Sequence, residues 1–334
     1  MQYFYVSHLI TIIGLVLAYL WAGVDGLIIT GLLMVMEISL SFDNAVVNAA
    51  ILRRMNEVWQ KRFLTWGILI AVFGMRLLFP IVIVAFATGL HINDVVDLAF
   101  NKPQEYSAHV LASHIQIAAF GGMFLLMVFL HFLLDAGKEL HWIAFIERKL
   151  TPLGKLESVE AVLALSLLLT LAHFLPVEER ASMITAGVIG VVLYVLVHGI
   201  AALMGGEDAA HGTVKEMSYS GLMGFIYLQV LDASFSLDGV IGAFAMSKDI
   251  VVIMLGLGIG AMFVRSLTVY LVRKGTLEKY VYLEHGAHYG IGALALIMLA
   301  SMLMHIPEII TGLIGVTFIV LSWMSSVRYN RRKI

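Results

Sequence analysis

The sequence predicts an all-α polytopic membrane protein of about ten transmembrane helices containing an inverted-topology internal repeat. Three observations predict it. The 334 residues are 60% hydrophobic and 13% charged, where soluble chains carry roughly 25% charged residues. Apolar runs near the ~20 residues needed to cross a bilayer recur along the whole chain. An acidic, serine-containing motif inside one such run, Glu37-Ile-Ser-Leu-Ser-Phe-Asp43-Asn44, returns 195 positions later as Asp232-Ala-Ser-Phe-Ser-Leu-Asp238-Gly239.

The ten expected helices cover approximately 5–22, 26–52, 62–90, 109–134, 157–176, 180–204, 218–246, 249–272, 286–305 and 307–327. Before the apolar run of the first, about Val6 to Trp21, stands only Met-Gln-Tyr-Phe-Tyr, without the basic region of a signal peptide, so that segment reads as a retained span. The longer connections are 91–108, with Asp94, Asp97 and Glu105, and 135–156. In the second, Trp142, Ile143, Phe145 and Ile146 among Lys138, Glu139, Glu147, Arg148 and Lys149 suit an amphipathic surface helix. The basic clusters Arg53/Arg54/Lys61/Arg62, Arg273/Lys274/Lys279 and Arg328/Arg331/Arg332/Lys333 then fall on one side. By the positive-inside rule that side is cytoplasmic, with both termini inside an inner (plasma) membrane.

A net charge of -2 without a basic face excludes a nucleic-acid partner, and zero cysteines exclude disulfides, thiolate metal sites and cysteine nucleophiles. No P-loop, His-Glu-x-x-His or Gly-x-Ser-x-Gly occurs. The chain reads as a non-enzyme with no catalytic residues and no prosthetic group.

The repeat also covers the segment after each motif. Gly67 to Arg76 matches Gly256 to Arg265, each placing an arginine nine residues after a glycine. The motif helices are second and seventh, so the copies cross in opposite directions. Inverted repeats of this kind place substrate sites near the midplane, often on broken helices. The chain thus divides into 1–134, a first repeat; 135–217, an inserted loop and two helices; and 218–334, a second repeat.

A carboxylate at mid-bilayer costs about 2.5–3.5 kcal/mol, so two such motifs need a compensating role. At about 100° per residue, Glu37, Ser41, Asn44 and Asn48 share a helix face while Asp43 lies about 120° away. Either two faces are used, or the helix opens around Ser39 to Asp43. The candidate metal ligands are Glu37, Asp43, Asp232 and Asp238, with Ser39, Ser41, Asn44, Asn48, Ser234 and Ser236 as supporting polar groups. Oxygen donors without thiolate suit Mg²⁺, Mn²⁺ or Ca²⁺. Arg76 and Arg265 balance or gate the charge when no cation is bound.

The pattern Glu37-x-x-x-Ser41-x-Asp43-Asn44, followed by Gln60-Lys61-Arg62 and the Gly67 to Arg76 segment, resembles the TerC family of integral membrane proteins. So do Asp232 to Asp238, Ala243-Phe244-Ala245, Gly256 to Arg265 and His305-Ile306-Pro307. The likeness covers roughly 26–134 and 218–327, with 135–217 inserted relative to shorter members. Gln229 stands where many members have Glu, and Gly239 where they commonly have Ser. The resemblance implies an exporter related to the LysE superfamily, with Mn²⁺ as substrate and tellurite resistance as its historical name. A secondary divalent-cation exporter is the expected function. The alternative is a non-transporting membrane subunit that delivers metal to partner proteins or scaffolds a complex. The expected partners are the metal ion, the bilayer, and a second copy or other membrane proteins.

The twelve histidines fall mostly near helix ends. His131 with Asp135, or Glu157 with Glu160, suits a minor cation site, and His285 and His288 beside Glu284 have ligand-like spacing. The methionines read as packing residues. Glycines 121, 122, 187, 190, 256, 258 and 260 read as sites of close helix approach.

Overall fold

The computed structural model describes residues 3–332 apart from 68, 139, 157 and 205–220. In chain order the helices are α1 (Tyr5–Leu40), α2 (Phe42–Leu52), α3 (Glu57–Arg62), α4 (Phe79–Thr88), α5 (Ile92–Asn101), α6 (Pro103–Ala112), α7 (His114–Leu134), α8 (Ala144–Leu150), α9 (Val159–Phe174), α10 (Val177–Met204), α11 (Leu222–Met246), α12 (Ile250–Arg273), α13 (Thr276–Lys279), α14 (Leu283–Ser301) and α15 (Glu308–Arg331). Two π-helical stretches, Phe63–Gly67 and Ile70–Leu78, lie between α3 and α4. Among the described residues there is no strand.

Among the described residues, six helices are long and apolar enough to cross a membrane: α1, counted once despite its break, α7, α10, α11, α12 and α15. A seventh span results if α8 and α9, bent by 105° at their junction, cross as one. The protein is a helical membrane protein, with fewer such helices than the ten expected. The expected 62–90 helix is cut into π and α pieces, α9 is only 16 residues long, and α14 opens on Glu284, His285 and His288. The 91–108 connection is not a loop but the helices α5 and α6, the second started by Pro103, whose missing N–H costs nothing in a first turn.

α1 is two helices in one. Non-helical backbone at Ala22 and Gly23 (φ 65°, ψ -150°) interrupts it. A Cβ on Gly26 would lie 2.8 Å from the Ala18 carbonyl oxygen, whereas eight residues of continuous helix would separate them by about 12 Å. The contacts to α12 reverse accordingly. Ser7 donates to the Met262 carbonyl at 2.8 Å and Trp21 to Asp249 at 2.9 Å, after which Thr30 and Leu33 meet Gly256 and Glu37 meets Gly260. The chain descends α12 to its start, turns at Gly23, and climbs back along it. The backbone angles of Gly23 belong almost exclusively to glycine. Gly23→Ala is therefore expected to cost about 1–3 kcal/mol, read as a lower thermal unfolding midpoint in detergent micelles; an unchanged midpoint would show that the turn does not need these angles.

Packing is by small residues, as membrane interiors require when lipid is as apolar as the side chains. Gly122 of α7 admits Leu299 of α14, Gly190 of α10 lies against the Phe120 carbonyl, and Gly187 admits Leu168 of α9. At one end of the bundle Arg53 reaches Glu278 and Glu284, both at 3.1 Å, and Arg54 reaches Glu284 at 2.9 Å. This is called the basic end below. α14 starts there and finishes at the opposite end.

The 135–156 connection carries a short helix, α8. Phe145 is exposed, while Glu147 is fully buried. Glu147 accepts from the backbone N–H groups of Trp142 and Ile143 and from the Tyr289 hydroxyl, and it pairs with Lys138 at 3.3 Å. Burial lowers the Lys138 ammonium pKa, with Glu147 pulling the other way. A carboxylate with this many donors is satisfied inside.

Candidate functional site

The first motif does break. α1 ends at Leu40, Ser41 takes φ -102° and ψ 17°, and α2 begins at Phe42. The interruption is small: the Ser41 N–H still donates to the Glu37 carbonyl at 3.0 Å. The Ser41 hydroxyl bonds Glu37 Oε1 at 3.2 Å. Arg76 Nη2 donates to that same oxygen, forming an ion pair in which both side chains are buried. Arg76 lies on the π-helical stretch Ile70–Leu78, a form that concentrates at functional sites.

Glu37, Ser41, Asn48, Arg76, Asp232 and Arg265 line one cavity of about 40 Å³, together with Phe63, Gly67, Ala261, Val264 and Thr268. Each copy of the acidic motif contributes one acid, and each following Gly-to-Arg segment one arginine. The Asn48 side chain hydrogen-bonds Asp232, while Asn48 Oδ1 is buried with no hydrogen-bond partner. That oxygen, with the Glu37 and Asp232 carboxylates and the Ser41 hydroxyl, forms a hard-oxygen set of the kind that holds Mg²⁺, Mn²⁺ or Ca²⁺. The volume suffices for an ion or a few waters, since one water needs about 10–15 Å³.

Asp43 is elsewhere. It is 3% exposed and lines a separate cavity of about 10 Å³ with Leu40, Phe235, Gly239, Gly290, Leu294 and Thr311. The 120° offset on the helix thus places Glu37 and Asp43 in different compartments. The Asp238 backbone belongs to α11, and its side chain lies outside the described residues. No three His, Asp or Glu side chains gather as a metal cluster among the described residues; the Glu37 cavity has two carboxylates and draws on amide and hydroxyl oxygens.

The other candidate residues divide. Ser39 is exposed and bonds its own helix at the Val35 carbonyl. Ser234 is buried and bonds the Val230 carbonyl; Ser236 is buried, and neither lines the cavity. Asn44 is buried with Oδ1 unpartnered. Gln229 lies outside the cavity, its Nε2 2.7 Å from where a Cβ on Gly67 would stand.

His131 meets Glu160 at 3.5 Å and the His198 ring at 4.5 Å. Asp135 instead accepts from the Gly137 N–H, and Glu157 lies outside the described residues. His285 and His288 are packing groups, bonded to the carbonyls of Leu140 and Glu284, with His288 stacked on Phe132.

Sequence reasoning missed Thr268 and Phe63 in the cavity wall, and Thr311, Gly290 and Gly315 around Asp43. Thr268 stands three residues after Arg265, on the same face of α12, and that spacing was the available signal. The glycines beside Asp43 lie on α14 and α15, far from either motif, and only the fold brings them there.

Fold and site together define a helical membrane protein with a cavity lined by acids and arginines from the two motif-bearing segments. A family model described as a protein of unknown function, DUF475, matches residues 42–333. The chain belongs to that family. Neither the curated proteins nor the solved structures contain a match.

Proposed function

We propose that the protein is a secondary transporter of divalent cations, Mn²⁺ foremost, of the TerC type, with Glu37 and Asp232 as ligands at an inverted-repeat interface. The observation that carries this reading is the cavity lined by one acid and one arginine from each motif copy. The helix packing supports the repeat. Glu37 of the first acidic helix meets Gly260 on the second arginine helix, and Gln229 of the second acidic helix meets Gly67 beside the first arginine segment. Each copy packs its acidic helix on the other's arginine helix.

Two carboxylates and two guanidinium groups make the cavity neutral as it stands. A divalent cation adds two charges to a poorly solvated space, so it binds when the guanidinium groups withdraw. Arg76, already on the Glu37 oxygen that a cation would use, acts as the resident counter-ion that cargo displaces. Withdrawal and return of Arg76 would couple occupancy to conformation, and the π-helical stretch beneath it is the element placed to move. The basic end faces the cytoplasm in this reading.

The test is Mn²⁺ flux into proteoliposomes containing the purified protein. Wild-type protein is expected to give saturable flux, and Glu37→Gln and Asp232→Asn to reduce it at least about tenfold, the effect of roughly 1.4 kcal/mol. Wild-type protein that binds Mn²⁺ without moving it would replace transport by the metal-delivery alternative; absence of binding would remove both.

A further inference from the structure

Asp43 presents a problem the Glu37 cavity does not. Its Oδ1 accepts from the Asn44 N–H at 3.0 Å, and among the described residues no cation pairs with it. Its Oδ2 faces two glycines, lying 3.1 Å from where a Cβ would stand on either Gly290 or Gly315. A buried ionised carboxylate is costly unless a cation pairs with it or a proton neutralises it, and a bound cation keeps it ionised. The cavity it lines has about 10 Å³, close to the space of one water-sized occupant. Thr311 supplies a second oxygen side chain in the same wall. Leu40, the last residue of α1, lies in the same wall.

Thr311 also lines a second, larger cavity of about 400 Å³ with His114, Ile297, Ser301 and His305. Ser301 ends α14, whose beginning holds Glu284 against Arg53 and Arg54. This vestibule therefore lies at the end opposite the basic residues, one threonine away from Asp43.

We propose that Asp43 and Thr311 form a Na⁺ site, separate from the Glu37–Asp232 cavity and reached through the vestibule at the end opposite the basic residues. The Asp43 carboxylate balances the single positive charge that Na⁺ carries. The small void excludes a hydrated ion and suits a small bare one held by oxygen. Na⁺ acts as the driving ion if the transport reading holds; that role rests on the reading, while the site itself does not.

Thermal unfolding of the full-length protein in detergent micelles tests the site, with NaCl exchanged for KCl or choline chloride at constant ionic strength. Na⁺ is expected to raise the unfolding midpoint saturably and K⁺ to act like choline. Asp43→Asn and the near-isosteric Thr311→Val are each expected to weaken the Na⁺ response at least about tenfold, and both should keep Mn²⁺ binding. Equal responses to the three salts, a Na⁺ response intact in both variants, or a response to pH alone would overturn the proposal. Loss of Mn²⁺ binding in wild-type protein with the Na⁺ response intact would instead remove the transport reading and leave this site standing.

Discussion

Arg76→Met is expected to lower stability by about 3–5 kcal/mol and to abolish Mn²⁺ flux, while the double variant Arg76→Met/Glu37→Leu regains most of the stability and none of the flux. Glu37 and Arg76 are 2% and 3% exposed and share a direct hydrogen bond. Removing one partner of a buried ion pair strands the other, which costs roughly 3–5 kcal/mol, whereas replacing both by apolar groups of similar size is often neutral or stabilising. The two variants therefore separate the roles. If the pair existed for stability, the double variant would stay as unstable as the single. If it holds the ligand oxygen in trust for a cation, stability returns and transport does not. Thermal unfolding in micelles reads the first quantity and proteoliposome flux the second. A single-variant loss below about 1 kcal/mol, the range of exposed pairs, would show that the pair is not held out of water.

Much of this arrangement was legible in the sequence because polar residues in an apolar span are conspicuous. The duplicated acids and the two arginines needed only counting, and the shared face of Glu37, Ser41 and Asn48 followed from helix geometry; all three line the cavity. The separate placement of Asp43 was contained in the same 120° offset. What resolved the choice between a widened motif and two used faces was packing, since the helix yields only at Ser41 and keeps both faces. Other features are set by tertiary contact alone. The break expected between 5–22 and 26–52 does fall at Ala22 and Gly23, but the reversal of the chain along α12 at that point is fixed by packing. The inward turn of Glu147 depends on Tyr289, which lies 142 residues away. The π-helical form of Ile70–Leu78 has no periodic signature in so short a stretch.

Gly260→Ala is expected to weaken Mn²⁺ binding at least about tenfold without altering any ligand, whereas Gly256→Ala, one turn earlier on α12, leaves binding within about threefold. Both glycines seat α1. A methyl on Gly256 would stand 2.5 Å from Leu33 Cβ and 3.1 Å from the Thr30 carbonyl oxygen. On Gly260 it would stand 2.5 Å from Glu37 Cβ and 3.2 Å from the Met34 carbonyl oxygen. In each case backbone is among the obstacles, so the helices must separate, at an overpacking cost of about 1–3 kcal/mol that the better helix propensity of alanine, up to about 1 kcal/mol, partly offsets. The stability losses should match. Only the second methyl pushes on the stem of the acid that holds Arg76, moving its carboxylate relative to Asp232 across a cavity with little spare volume. Titration of Mn²⁺ against each variant, together with its unfolding midpoint, makes the comparison. Equal loss of binding in both would mean that helix separation alone empties the site. Equal retention would mean that the position of Glu37 is not what binding depends on, and the ligand set would have to be sought around Asp43.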